Sequence, residues 1–466
     1  MTSFIGCGVA HKFPLTLFSN IFKGYFMLAK IFYSTRNFFL FSILSLFLLT
    51  FIGGCDLLEN EEEHSEEEHS EEKHSEEEHS EEKHSEEEHS KDEHAGHDDI
   101  KKFGMILVGP RDDKGWSQAH FEGGAYIEEK LGAEMIVADF INPADSPNTT
   151  VEQVAADMID QGAELIFATS DDMKDGILAA AEAHPDVAMI WSSGDSAWAD
   201  GKAHLPNLKN LGNIMPQMEY GKYLAGCAAA LESKSGNIGF LGPLINDETR
   251  RLTNAAYLGA KDCWASKNVA GGDLNFQVKW IGFWFHIPGV TLDPTVVVND
   301  FYDSGVDVVI SHIDTPEALI ETDKRAAAGE DVLVVGYDYE GACELAPNVC
   351  LGVPYFNWGP AYLEVAEAVS HDHFEPEFNW VGPNLSDLND KDSSSIGFIF
   401  GDALSDTSQG KLESIIESFD KDLTTLFSGP INFQDGTNFV PAGGKPTLKD
   451  IWYTPQLLEG MTGDSA

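Results

Sequence analysis

FGMILVGPRDDKGWSQAHFEGG, residues 103–124, decides the fold. Residues 103–108 are apolar without the polar alternation of a one-sided strand, so this strand is expected to be buried on both faces, as in a parallel sheet. The polar turn GPRDDKG follows, and from Trp116 the apolar spacing becomes helical through residue 131. Such a strand–loop–helix unit leaves free backbone N–H groups and polar side chains at the carboxyl edge of the sheet. Working outward, the spacing predicts strands over 134–140, 163–168 and 187–191, and helices over 151–161 and 173–183. Thr149 with Glu152 reads as a capping box for the first of these helices. A helix rich in Ala and Gly over 217–233 opens a second series, with strands over 237–241, 278–283, 306–310 and 332–337. Its helices are predicted over 248–267, 294–302 and 317–328. Beyond 353 only 358–370 and 411–427 read as helical.

Strands alternating with helices make an α/β protein, and two successive doubly wound parallel-sheet units make two lobes with a cleft between them. The 367 residues from 100 onward exceed one ordinary core. The expected organisation is lobe 1 over 100–215, lobe 2 over 216–353 and crossover segments over 354–466 that complete both.

Upstream, FFLFSILSLFLLTFIGGC (38–55) has an uncharged apolar run from Phe38 to Ile52, preceded by Lys23, Lys30 and Arg36. The run suits a secretory signal and falls short of the ~18–20 residues that span a bilayer. Ile52-Gly53-Gly54-Cys55 is similar to the bacterial lipobox, which makes 1–54 a lipoprotein signal and Cys55 the lipidation site. Translation from Met27 would leave a signal of 28 residues. The expected location is the extracytoplasmic face of the cell membrane, held by lipid. The competing reading is a membrane-spanning anchor with an incidental cysteine.

Residues 55–99 are expected to form a disordered acidic tether. From 61 to 94 the pentapeptide EEEHS or EEKHS repeats, placing His64, His69, His74, His79, His84, His89 and His94 five apart, followed by His97. On a helix that step winds the histidines around the axis instead of along one face. Two readings stand: a hydrophilic spacer, or a spacer that also scavenges zinc weakly and adventitiously through these histidines. No other cofactor is expected.

The chain carries 29 Lys and Arg against 78 Asp and Glu, a net of −49. Residues 100–466 alone hold 56 acidic and 22 basic side chains, so the folded part is itself strongly acidic. Nucleic acid is thereby a poor partner, because its binding depends on neutralising phosphates. Four cysteines remain after residue 99: Cys227, Cys263, Cys343 and Cys350. Outside the cytoplasm they allow two disulfides, with Cys343 and Cys350 near enough to pair across a turn; four buried thiols is the other arrangement.

Candidate binding residues cluster where strands end. They are Asp113, Trp116 and Ser117 after the first strand, Ser170 and Asp171 after the third, and Asp195 after the fourth. In the second unit they are Asp314 after 306–310 and Asp338 after 332–337. Any one of these is equally a helix cap. Together at one sheet edge they make a polar cleft. Trp116 either stacks on a planar ligand or packs on its own helix. WIGFWF (280–285) offers Trp284 as a second ring, and stacking between the two is worth ~1–3 kcal/mol per face. No nucleophile elbow, phosphate loop or His-Glu-x-x-His motif occurs.

DDKGWSQAHFEGG (112–124), EYGKYLAGCAAALESKSGNIGFLG (219–242), WIGFWF (280–285) and Asp338 in VVGYDYE carry a resemblance to the basic membrane protein family of substrate-binding lipoproteins, which includes purine-nucleoside receptors. The resemblance covers about residues 103–460. It implies a type I periplasmic-binding-protein fold, a monomer closing on a small-molecule solute about a hinge, and an ABC permease as partner. It also implies base stacking at Trp116 and near Trp284, ribose binding at Asp338, and a solute contact at Asn357. The chain departs from the family pattern at Trp116, where phenylalanine is common, and at Ser117, where asparagine is common. LGVPYFNWG (351–359) lacks the lysine that nucleoside binders often use on the sugar. The implied solute is a nucleoside, a free base, a riboflavin-like ring or another planar molecule. Two other functions compete with import: a sensory receptor of the same fold, and an extracytoplasmic enzyme acting on nucleosides.

Overall fold

The computed structural model describes residues 99–267 and 272–465. The signal, Cys55 and the histidine repeat lie outside the described residues. The first lobe begins β1 (Lys102–Ile106), α1 (Trp116–Leu131), β2 (Glu134–Ala138), α2 (Val151–Asp160), β3 (Leu165–Ala168), α3 (Lys174–Ala183), β4 (Ala188–Ser192) and β5 (Leu211–Pro216). The second runs α4 (Glu219–Glu232), β6 (Asn237–Gly242), α5 (Asp247–Ser266), β7 (Asn275–Trp280), α6 (Pro294–Asp303), β8 (Val308–Ser311), α7 (Glu317–Ala327), β9 (Leu333–Val335) and β10 (Cys350–Phe356). Then come α8 (Gly359–Ser370), β11 (Phe378–Val381), β12 (Ile396–Phe400), α9 (Asp406–Ser418), β13 (Ile431–Asn432), β14 (Asn438–Val440), α10 (Leu448–Trp452) and β15 (Met461–Thr462).

The strands build two large sheets, ordered β11-β5-β4-β3-β1-β2 and β12-β10-β9-β8-β6-β7-β15. Within these two sheets all pairings are parallel except β10 with β12, and β13 pairs antiparallel with β14 in a separate two-stranded sheet. This is the two-lobed α/β architecture expected, and β3 and β4 are buried at every position. Because β11 joins the first sheet and β12 the second, the chain passes between lobes after β5, after β10 and after β11. These three passages form the hinge.

Several local readings shift. The capping box sits one residue later: Thr150 accepts from the Gln153 N–H and the Gln153 side chain accepts from the Thr150 N–H. β5 was not read from sequence, since Leu211–Pro216 mixes Gly, Asn and Pro with its apolar residues. The aromatic strand expected over 278–283 is instead β7, ending at Trp280. Gly282 takes φ +106°, which no β-strand accommodates, and the chain turns into a loop there. The helix expected over 411–427 is α9, capped by Ser405 and ending at Ser418, followed by a short 3₁₀ turn at Leu423–Phe427.

Helices α4 and α5 pack nearly backbone to backbone. A Cβ on Gly226 would stand 1.8 Å from the Ala256 carbonyl oxygen, and one on Gly259 would stand 1.9 Å from that of Tyr223. The same pair is tied by a Cys227–Cys263 disulfide, and Cys343 pairs with Cys350 across a turn. The four cysteines are therefore two disulfides, both in the second lobe.

Candidate functional site

The carboxyl edges of both sheets face one cleft. At its centre lies a small cavity, lined by Trp116, Ser170, Asp171 and Ser193 from the first lobe and Glu248, Trp284 and Asp314 from the second. The lobes meet above it: a Cβ on Gly115 would fall 1.8 Å from the Asp314 carbonyl oxygen, so only glycine allows this approach. The cavity's free space is about 10 Å³, against ~300–1,000 Å³ in typical ligand pockets, so the cleft is closed down here.

On the first lobe the loop after β1 is organised by Asp113. Its carboxylate accepts from the N–H groups of Gly115 (2.9 Å), Ser117 (3.0 Å) and Gln118 (3.0 Å), the free donors at the start of α1. Burial still pushes its pKa up to about 6, against these hydrogen bonds. Ser117 turns inward and accepts from the Gly109 N–H at 2.9 Å. Trp116 donates its indole N–H to the Thr169 carbonyl at 2.7 Å and sets its ring edge-on to Phe356 and Trp358. It packs on the crossover and lines the cavity at once. Ser170 accepts weakly from the Asp172 N–H at 3.4 Å. Asp171 beside it is pushed up by burial, with Lys174 opposing.

The second lobe differs. Asp338 is fully buried at φ +70°, a conformation that aspartate tolerates better than most residues, and neither carboxylate oxygen has a hydrogen-bond partner. Burial pushes its pKa well up, opposed by nearby Lys222. Asp314 is pushed the same way by burial and then by the charge of Asp338. Its backbone N–H donates to the Trp284 carbonyl at 3.0 Å, which ties the two loops together. The Trp284 indole N–H is buried and unpartnered. His312 is buried, with burial pushing its pKa well down and Nδ1 unpartnered.

Of the sequence candidates, Asp113, Ser117, Asp195, Asp338 and Asn357 do not line this cavity. Asp195 accepts a hydrogen bond from the Tyr453 hydroxyl. Asn357 donates its amide to the carbonyls of Lys391 (3.0 Å) and Ser394 (2.7 Å), bracing the hinge, and lines a different groove with Tyr126 and Tyr339. Sequence reasoning missed Glu248, Lys222 and Arg251. Glu248 is buried in the first turn of α5, and burial pushes it up to about 7. Lys222, on α4, donates to the Ser311 carbonyl at 2.9 Å and lies 3.0 Å from the Tyr337 ring centre. Arg251 and Glu219 form a buried ion pair at 2.8 Å. The one available signal was a charged residue inside each otherwise apolar helix face, which reads equally as a solvated position. Among the described residues no group of three or more His, Cys, Asp or Glu is placed to hold a metal ion, and no helix is long and apolar enough to cross a membrane.

Comparison with known proteins places this architecture. A purine-binding protein of Brucella abortus is 26% identical over 354 residues, 75% of this chain and 90% of that protein. Basic membrane protein A of Borreliella burgdorferi is 25% identical over 252 residues, 54% of this chain and 66% of that protein. A solved ABC transporter solute-binding protein from Aeropyrum pernix superposes with a TM-score of 0.53 at 13% identity, covering 72% of this chain and 93% of that one, and so shares the fold. The family profile described as ABC transporter substrate-binding protein PnrA-like matches residues 100–380, and the chain belongs to that family.

Proposed function

We propose that this protein is the lipid-anchored solute receptor of an ABC importer, which captures a nucleoside or similar planar solute and delivers it to a membrane permease. Cys55 holds it at the extracytoplasmic face, the acidic repeat is a leash, and the two lobes form a monomeric trap. The observation that carries the reading is the meeting of Trp116 and Trp284 at one cavity, with the buried and unpartnered Asp338 within electrostatic reach of Asp314 at its wall. Two indoles suit a flat ring, and an unpartnered buried carboxylate is costly until a ligand donates to it. The relative named as purine-binding supports a purine-like solute. Lobe closure supplies affinity and marks the loaded state for the permease. The receptor returns its solute unchanged.

Native mass spectrometry of the chain purified without refolding, joined to calorimetric titration with adenosine, inosine, adenine and riboflavin, tests this. One solute per chain is expected. Failure of the whole panel would overturn the planar-solute reading, and product formed from a nucleoside would overturn the receptor reading. The histidine repeat is proposed to bind zinc weakly at most; a zinc titration of residues 56–99 showing no uptake near neutral pH removes that role.

A further inference from the structure

The central cavity gathers more carboxyl groups than a neutral solute would pair. Asp171, Glu248 and Asp314 all line it, and fully buried Asp338 lies within electrostatic reach of Asp314. The nearby basic groups, Lys174, Lys222 and Arg251, act on these carboxyls only at a distance. Arg251 is paired with Glu219, and Lys222 Nζ donates to the Ser311 carbonyl. Among the described residues no Lys, Arg or His makes an ion pair or hydrogen bond with Asp171, Glu248, Asp314 or Asp338. Buried carboxylates without partners are strongly unfavourable, and several in one cavity repel one another.

Resting on the receptor reading above, we propose that the captured solute is a small planar organic cation. Its positive charge answers the carboxylates of Asp171, Glu248, Asp314 and Asp338. Its ring lies against Trp116 and Trp284, whose faces attract cations. The unpartnered Trp284 indole N–H, buried at the cavity wall, takes a hydrogen-bond acceptor on the same molecule. A metal ion does not suit the cavity, because its carboxylates are not placed to ligate one.

Matched ligands that differ in charge and hardly in shape test this by calorimetry on the full chain after exhaustive dialysis. One pair is 1-methyladenosine, cationic near neutral pH, against neutral 1-methylinosine. The other is 1-methylnicotinamide, a cation, against its neutral ring analogue 3-methylbenzamide. The cationic member is expected to bind at least about tenfold tighter in any pair that binds, as a charge-assisted hydrogen bond implies. Glu248→Gln and Asp314→Asn should shrink that ratio. Equal or tighter binding of the neutral member overturns the charge inference and leaves the receptor reading standing. Binding of none of these four ligands, nor of adenosine or inosine, to protein that circular dichroism shows to be folded overturns both. The wild-type ratio decides the question even where a variant fails to fold.

Discussion

Asp113 on the first lobe, half-buried, and Asp338 on the second, fully buried, are both carboxylates that follow a parallel strand. Asp113 accepts three backbone N–H groups of its own loop. Asp338 accepts none. The tryptophans repeat the contrast: the Trp116 N–H is held by Thr169, while that of Trp284 has no partner. The first lobe thus holds Asp113 and Trp116 by hydrogen bonds that are made before any solute arrives. The second lobe keeps its hydrogen-bonding capacity in reserve. It also carries both disulfides. A face that buries unpaired groups loses stability by doing so, and covalent ties brace the lobe that bears this cost.

The sharpest way to break the comparison is to truncate each tryptophan. Trp116→Ala should cost about 3–5 kcal/mol of stability, as for a large core residue, because it removes packing on Phe356 and Trp358. Trp284→Ala should cost clearly less stability and more solute affinity. Thermal melting with calorimetric titration reads both, and equal stability losses would dissolve the distinction between the two lobes.

The disulfides come next. Cys227–Cys263 closes 36 residues and Cys343–Cys350 closes 7. The loop-entropy relation gives about 4 and about 2 kcal/mol respectively. Denaturant unfolding of Cys→Ser pairs should rank them in that order, and loss of the shorter tie exceeding loss of the longer would reject an entropic account.

Charge on the second face should appear as a pH dependence. Glu248 rises from its usual 4.5 to about 7 through burial. The folded chain then holds a proton that the unfolded chain has released. That contribution is full below pH 4.5 and is lost as pH rises through 7. Relative to Glu248→Gln, the solute-free wild type should lose on the order of 3 kcal/mol across this window. Buried His312, pushed down instead, acts in the opposite direction below its usual 6.5 and cancels in the difference. A flat difference between the two pH profiles would show that Glu248 titrates normally.

The aspartates give the finest test. Asp113→Ala should destabilise by about 1–3 kcal/mol through the loss of three capping bonds. Asp338→Asn should leave the solute-free protein at least as stable, since asparagine tolerates the positive φ without a buried charge. Asp338→Ala should weaken solute binding by more than about tenfold. Unchanged affinity in that variant would remove Asp338 from the site.

Much of this arrangement was legible in order along the chain. The uninterrupted apolar run of 103–108 and its polar turn identified a buried parallel strand. Asp171 and Asp314, read at strand ends by topology alone, line the cavity, whereas Asp195 accepts from Tyr453 instead. Reading weakened where a segment's environment mattered more than its pattern. Leu211–Pro216 is a central strand despite its Gly, Asn and Pro, because β4 and β11 flank it and every residue is buried. Trp284 reaches the cavity from a loop and not from a strand, because Gly282 turns the chain first. Glu248 looked like an ordinary acidic residue in the first turn of a helix, a position that the helix dipole favours anywhere.

The sequence by itself determined the alternation of strands and helices, the two lobes, the acidity and the even cysteine count, since periodicity and composition act locally. Only the tertiary structure decided which carboxylates are satisfied, which cysteines pair, where the chain crosses the hinge, and that Trp116 and Trp284 meet at one cavity. Hydrogen-bond satisfaction and burial depend on segments far apart in sequence arriving at the same place. Asp113 and Asp338 look alike in the chain and differ only in the neighbours that folding brings to them.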